Sequence, residues 1–334
     1  MDKMTFRIFG PKCKQLSLLP KIIDTQSKSN YNNKYSIYSG SPQMKLAIIS
    51  DIHSNYMALE NALCLIGSLH PDGIVFLGDY LTDFPHPQYT LRLLDECAAA
   101  FPCWFVRGNR EDYLLRHRED PSDGWRFSSS SGSLLYTFEN LTKADLDRLA
   151  ALPVSLDIVA DGVTVPLGTP PLTACHASPR ATKEWLMNRP ALIEKCLNEV
   201  KGKALLCGHT HKGGIAEAAG KRVIFCPSVG LPQDHRPGSK FLMLEPRRGV
   251  WRYRTMTVDY DKNRMAAEFR RSGLLEKAGV WAKCIIRSMY DEKDYAARCV
   301  ALAWRIAASE RFDGDTVLPE EYWERAAREL HIIP

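Results

Sequence analysis

Three short apolar runs, separated by two stretches of helical periodicity, constrain this chain more than any other feature. Residues 45–51 (Lys-Leu-Ala-Ile-Ile-Ser-Asp), 73–77 (Gly-Ile-Val-Phe-Leu) and 103–106 (Cys-Trp-Phe-Val) read as strands. Residues 55–69 place Met57, Leu59, Ala62, Leu63 and Ile66 at helical spacing, and residues 88–100 read as a second helix. A β-α-β-α-β order calls for parallel strands joined by crossover helices. Such sheets place their sites just past the carboxyl ends of the strands. At those ends stand Asp51-Ile-His53, Gly78-Asp79 and Gly108-Asn109-Arg110-Glu111.

The second half extends the pattern. Short strands are predicted at 155–159, 172–175, 204–207, 222–225, 241–244 and 250–256, with a helix at 191–200. Two of these runs end in Cys175-His176 and Gly208-His209-Thr210-His211. Carboxylate, imidazole and amide donors delivered from strand ends suit a two-metal hydrolytic site. Cys175 would point away from a ligand at His176, because neighbouring strand residues face opposite sides. Thr142-Lys143-Ala144-Asp145 reads as a capping box with Asp in place of Glu, opening a helix that runs to Leu152. Residues 125–132 are Ser-rich and read as a loop near the site mouth.

After Tyr260 the pattern turns helical. Val280, Trp281, Cys284, Ile285 and Met289 form one apolar stripe, and Tyr295, Cys299, Val300, Ala303, Trp304 and Ala307 form another. Pro319-Glu320-Glu321 reads as the first turn of a last helix. These stripes are expected to pack onto the main domain.

The charge distribution argues against a nucleic-acid binder. The net charge is +5, and residues 1–43 hold seven basic residues (Lys3, Arg7, Lys12, Lys14, Lys21, Lys28, Lys34) against Asp2 and Asp24. That segment carries the whole excess, so the remainder is neutral and exerts no general pull on phosphate backbones. Residues 24–43 are polar with little to bury, which reads as a flexible extension before a folded part opening at Met44. No apolar stretch approaches the roughly 20 residues that span a bilayer. The ten cysteines show no CxxC pairing, and Cys64, Cys97, Cys207, Cys284 and Cys299 read as reduced core thiols of a cytoplasmic protein.

The ordered set of Asp51-Ile-His53, Gly78-Asp79, Gly108-Asn109-Arg110-Glu111, His176 and Gly208-His209-Thr210-His211 resembles the calcineurin-like metallophosphoesterase superfamily, over residues 44–260. The resemblance implies an α/β fold, a four-layer α/β/β/α sandwich, followed by a helical appendage over residues 261–334. It implies two divalent cations (Mn, Fe or Zn, with Ni also suitable), with Asp51, His53 and His211 on the first and Asn109, His176 and His209 on the second. Asp79 matches the carboxylate that bridges them. Such a pair lowers the pKa of a shared water from about 16 toward about 7, giving a hydroxide that attacks phosphorus.

Arg110 departs from the family pattern, which often has histidine there. Arginine holds its proton to above about 12, so it cannot protonate a leaving group, but it forks onto a phosphate oxygen. Phosphodiesters and nucleotides with good leaving groups are therefore the expected small-molecule substrates. A small bacterial phosphodiesterase branch of the family also lacks that histidine. The alternatives are a protein or phosphomonoester phosphatase, and a retired scaffold, which the intact ligand set disfavours. Asn55 and Arg180 are further candidates for contact with substrate, beside Asn109 and Arg110. Cys226-Pro227-Ser228-Val229-Gly230 reads as a tight turn near the metals, with Gly230 at positive φ. His235 and Arg236 follow it as weaker candidates, while His70, His86 and His117 keep a surface reading. A homo-oligomer is compatible with the chain.

Overall fold

The computed structural model describes residues 44–312, 314 and 317–334. The expectation of a flexible extension over residues 1–43 lies outside them. Strands β1 (Leu46–Ile49), β2 (Gly73–Phe76) and β3 (Cys103–Phe105) pair in parallel, joined by helices α1 (Tyr56–Leu69) and α2 (Pro87–Ala100). After β3 come α3 (Asn109–Glu119), α4 (Gly132–Glu139) and α5 (Lys143–Ala150), then β4 (Ser155–Ile158) and β5 (Leu172–Cys175). Helix α6 (Pro190–Glu199) leads to β6 (Ala204–Cys207), β7 (Gly214–Ala218), β8 (Lys221–Phe225), β9 (Ser239–Arg247) and β10 (Val250–Val258).

These strands form two five-stranded mixed sheets, ordered β10-β9-β1-β2-β3 and β4-β5-β6-β8-β7. Alternation along each strand explains the layering. Leu46 and Ile48 of β1 meet Leu172, Ala174, Leu206 and Ile224 from the other sheet. Ala47 and Ile49 turn outward onto Leu59, Leu63 and Ile66 of α1. On the opposite outer face, Leu205, Cys207, Val223 and Phe225 pack on Ile193 and Leu197 of α6. β1, β2 and β6 read as unbroken apolar runs because both faces are buried. The result is the expected α/β/β/α sandwich.

The C-terminal helices are α7 (Lys262–Arg271), α8 (Leu274–Lys277), α9 (Gly279–Asp291), α10 (Tyr295–Ser309) and α11 (Glu320–Glu329). They share one apolar core with Met57, Phe84, Tyr136 and Leu231 of the sandwich. No helix among the described residues is long and apolar enough to cross a membrane.

Residues 125–131 form a loop, as expected, and one other sequence reading needs correction. The Ser-rich segment before α4 is pinned to the C-terminal helices, since Ser129 donates to Glu320 through both its backbone N and its hydroxyl at 2.6 Å. Helix α4 then begins at Gly132, where a Cβ would meet Lys277 O at 1.9 Å. His117 is buried, not at the surface, stacked on Trp125 with ring centroids 4.1 Å apart and bonded to Asp123.

Candidate metal centre

Each candidate ligand sits one to four residues past a strand's carboxyl end. Asp51 and His53 follow β1, Asp79 follows β2, Asn109 opens α3 after β3, and His176 follows β5. His209 and His211 follow β6. The chain turns so abruptly there that Asp51 (φ 52°), His53 (53°), Asp79 (52°), His209 (63°) and His211 (56°) all adopt left-handed backbone. Each such residue costs roughly 1–2 kcal/mol, and a mesh of backbone hydrogen bonds holds them. Asp51 N donates to Gly78 O at 3.1 Å, and His53 N donates to Asp79 O at 2.9 Å.

Glycines allow the loops to close. A Cβ on Gly108 would lie 2.2 Å from Asp79 N, and one on Gly230 would lie 1.9 Å from Ile52 O. Gly230 is therefore required for close approach and not for positive φ, which it does not adopt. Its N–H donates to Asp51 O at 3.0 Å.

The side chains converge with their acceptors facing inward. His211 Nδ1 lies 2.7 Å from Leu231 O, and His176 Nδ1 lies 2.7 Å from Leu77 O. His53 Nδ1 lies 2.9 Å from Asp83 Oδ2. A carbonyl at that range keeps the proton on Nδ1, so His211 Nε2 and His176 Nε2 present lone pairs, and a cation at His53 Nε2 would leave the His53 proton on Nδ1 beside Asp83. His53 Nε2 and His211 Nε2 are 3.2 Å apart, with Asp51 Oδ1 at 3.4 Å from His211. His176 Nε2 faces Asn109 Oδ1 at 3.0 Å and Asp79 Oδ1 at 3.5 Å. Asp51 Oδ1 is buried and has no hydrogen-bond donor. Lone pairs turned on one another in a buried pocket repel unless a cation lies among them, so this donor set fits divalent metals.

Two groups, Asp51–His53–His211 and Asp51–Asp79–His176, each hold their ligand atoms within 4.8 Å of one another. His209 falls outside both. Its ring centroid is 5.0 Å from that of His176, and its backbone N donates to Asp51 Oδ2 at 3.1 Å. Cys175 turns away toward Cys207, with sulfurs 3.5 Å apart.

The electrostatics suit metal ligation. Burial pushes His53 down to about 4 despite Asp83, and burial with His176 pushes His209 down to about 3. Both are neutral at pH 7, the form that binds metals. Burial and then Asp51 push Asp79 up to about 7. Burial would raise Asp51 as well, but His211, His176, His53 and the Ser50 hydroxyl hold it below the usual carboxylate value. One carboxylate thus keeps its charge while its neighbour resists ionising without a cation, as expected of two buried acids in one site.

A model of the calcineurin-like phosphoesterase family matches residues 44–213. The chain belongs to that family. A metallophosphoesterase from Sphaerobacter thermophilus superposes with a TM-score of 0.57 at 22% identity, covering 75% of this chain and 100% of that one. A hypothetical protein from Pyrococcus horikoshii superposes with a TM-score of 0.62 at 20% identity, covering 75% and 99%. An uncharacterized protein from Methanocaldococcus jannaschii is 25% identical over 209 residues, 61% of this chain and 78% of its own.

In this phosphoesterase Arg110 turns toward the ligands. Its backbone N donates to Asp79 Oδ1 at 2.8 Å, and its guanidinium pairs with Asp83 Oδ2 at 3.1 Å. Asp83 is the residue that sequence reasoning missed. It contacts both His53 and Arg110, and it accepts from Trp281 Nε1 at 2.8 Å. The only signal was a carboxylate four residues past Asp79. Glu111 was read as part of a motif without a role. Its carboxylate accepts the N–H groups of Gly108, Asp79 and Tyr80, each at 2.9 Å, tying the second and third ligand loops together.

Two candidates for substrate contact are engaged elsewhere. Asn55 is fully buried; its Oδ1 caps α1 at Ala58 N (3.2 Å) and its Nδ2 donates to Gly230 O at 2.7 Å. Its role is to fix the loop after β1, not to face solvent. Arg180 donates from Nη1 to both Glu199 oxygens at 2.7 and 2.8 Å and pairs through Nη2 with Glu184, which leaves no charge in excess for a phosphate.

Proposed function

We propose that this phosphoesterase hydrolyses phosphodiester or nucleotide-type substrates at two divalent cations held by Asp51, His53, Asp79, Asn109, His176, His209 and His211. The observation that carries the reading is Asp79. Its Oδ2 lies 3.7 Å from His53 Nε2 and its Oδ1 lies 3.5 Å from His176 Nε2. One buried carboxylate thus offers one oxygen to each side of the cluster, which is the disposition a bridging ligand needs. The nitrogen and oxygen donors, without a thiolate, favour Mn, Fe or Zn over a hard Mg site. Bound there, the cations would activate water at neutral pH and neutralise charge on the phosphoryl oxygens.

The chain's own residues then set the chemistry. Asp83 holds the His53 proton on Nδ1, leaving Nε2 for the metal. Arg110 stays charged at any working pH and offers forked donors to a phosphoryl oxygen. It cannot deliver a proton to a departing alkoxide, so leaving groups that depart unprotonated are favoured. The test compares turnover of bis-p-nitrophenyl phosphate and p-nitrophenyl phosphate with Mn²⁺, Fe²⁺, Ni²⁺ and Zn²⁺ supplied separately. The diester should be preferred; a large monoester preference would overturn the substrate assignment.

A further inference from the structure

The loop between β2 and α2 carries Asp83 and is strained, with Thr82 (φ 80°), Asp83 (64°) and His86 (65°) all left-handed. Strain of this kind persists only where the surroundings hold it. Asp83 N donates to Ser133 Oγ at 2.9 Å and Phe84 N to His53 O at 3.0 Å, and the rest of the hold comes from C-terminal helices that lie outside the sandwich. Trp281 of α9 donates its indole N–H to Asp83 Oδ1 at 2.8 Å. Phe269 of α7 packs edge-on against the buried Phe84, with centroids 5.4 Å apart. Glu268 of α7 lies 3.2 Å from His86.

The grip ends on Arg110. Asp83 Oδ1 is held by Trp281 and, more loosely, by the Ser133 hydroxyl at 3.5 Å. That leaves Oδ2 to face the Arg110 guanidinium at 3.1 Å as well as His53 Nδ1 at 2.9 Å. The guanidinium also lies 5.6 Å from the centroid of the Trp281 ring, within cation–π range. Trp281 itself is braced edge-on by Trp323 of α11, 6.3 Å away. One indole therefore reaches Arg110 twice, directly through its face and indirectly through the carboxylate its N–H orients.

We infer that Trp281 is a positioning residue for the phosphoesterase site, placing the Arg110 guanidinium for a phosphate oxygen through Asp83, so that the C-terminal helices complete the substrate subsite. The inference deepens the proposed function and rests on its assignment of Arg110 to phosphate. Trp281→Phe keeps an aromatic face and removes the N–H, and Asp83 Oδ1 then loses its shorter donor.

The test is a double-mutant cycle on full-length, Mn²⁺-loaded protein, read by calorimetry with inorganic phosphate and by kcat/KM on bis-p-nitrophenyl phosphate. Trp281→Phe should weaken phosphate binding and kcat/KM about tenfold in the parent. It should change either less than about twofold in an Arg110→Ala background, because coupled residues do not add. Metal content should stay unchanged and Tm should move by only a few degrees. Equal losses in both backgrounds, no loss in either, or a loss of bound metal would overturn the inference. Phosphate coupling in a protein that fails to turn over the diester would overturn the hydrolytic reading and leave Trp281's positioning role standing.

Discussion

His53 and His211 face each other through their Nε2 atoms, 3.2 Å apart, while each directs Nδ1 at an acceptor on its outer side. In the metal-free chain the two rings can share at most one proton between those nitrogens, whereas a cation takes both lone pairs and binds only the folded arrangement. Metal should therefore stabilise the fold strongly. Mn²⁺ or Zn²⁺ at about a hundred times its dissociation constant should add about 2.7 kcal/mol, seen as a rise in Tm. His211→Ala should lose most of that increment. An unchanged Tm with added metal would contradict the pairing argument.

Asp79 gives a pH signature in metal-free protein. Its carboxyl is raised from 3.8 to about 7, by burial first and Asp51 second. The folded state therefore holds a proton that the unfolded state has released, and stability from this group falls as pH rises from about 4 to about 7. His53 and His209 are lowered and act oppositely over part of that range, gaining stability as pH rises toward 6.5. The Asp79 contribution is isolated by difference. The Tm of Asp79→Asn minus that of the parent should grow between pH 4 and pH 7 and level off above. A difference independent of pH would remove the raised pKa.

Arg110 should govern choice of leaving group. Arg110→Ala should cut kcat/KM on bis-p-nitrophenyl phosphate by about 10- to 100-fold, the loss of a charge-assisted forked contact of about 1.5–3 kcal/mol. Arg110→His restores a group that can donate a proton near neutral pH. It should shift the ratio of turnover between an ester with a poor leaving group, such as phenyl phosphate, and its p-nitrophenyl counterpart toward the poor leaving group. Equal ratios in parent and Arg110→His would show that the position does not act on the leaving group.

Asn55 should behave as a structural cap. Asn55→Ala removes the α1 cap and leaves Gly230 O without its donor, costing about 1–3 kcal/mol in stability. KM for a diester should stay within about twofold of the parent when assayed below the lowered Tm. A KM raised tenfold without loss of stability would return Asn55 to substrate contact.

The contrast between Asp51 and Asp83 shows which parts of the site were legible. Asp51 follows a run whose residues are buried on both faces, so the sequence announces the strand and its end together. The same holds for Asp79, His176 and His209. Asp83 follows no strand and has no fixed spacing to its partners. Its indole donor lies 198 residues further on, brought near only by packing of the C-terminal helices. Helix α3 was hidden for a different reason. Its segment Asn109–Glu119 is mostly charged, with apolar burial at Leu114 and Leu115, so no stripe marks it. Strand β7 alternates half-buried and exposed residues at a sheet edge and lacks an apolar run. Asn55 was legible and misread: a short polar residue before an amphipathic run is an N-cap signal.

The central claim is that Asp79 joins two cations in one hydrolytic site. It is tested most directly by metal content per chain, measured by elemental analysis after loading with Mn²⁺ and dialysis, alongside diester turnover on the same samples. The parent should retain two equivalents and turn over bis-p-nitrophenyl phosphate. Asp79→Asn and His176→Ala should each retain one equivalent or fewer and lose at least about a hundredfold in kcat. Two equivalents with parental turnover in either variant would contradict the account.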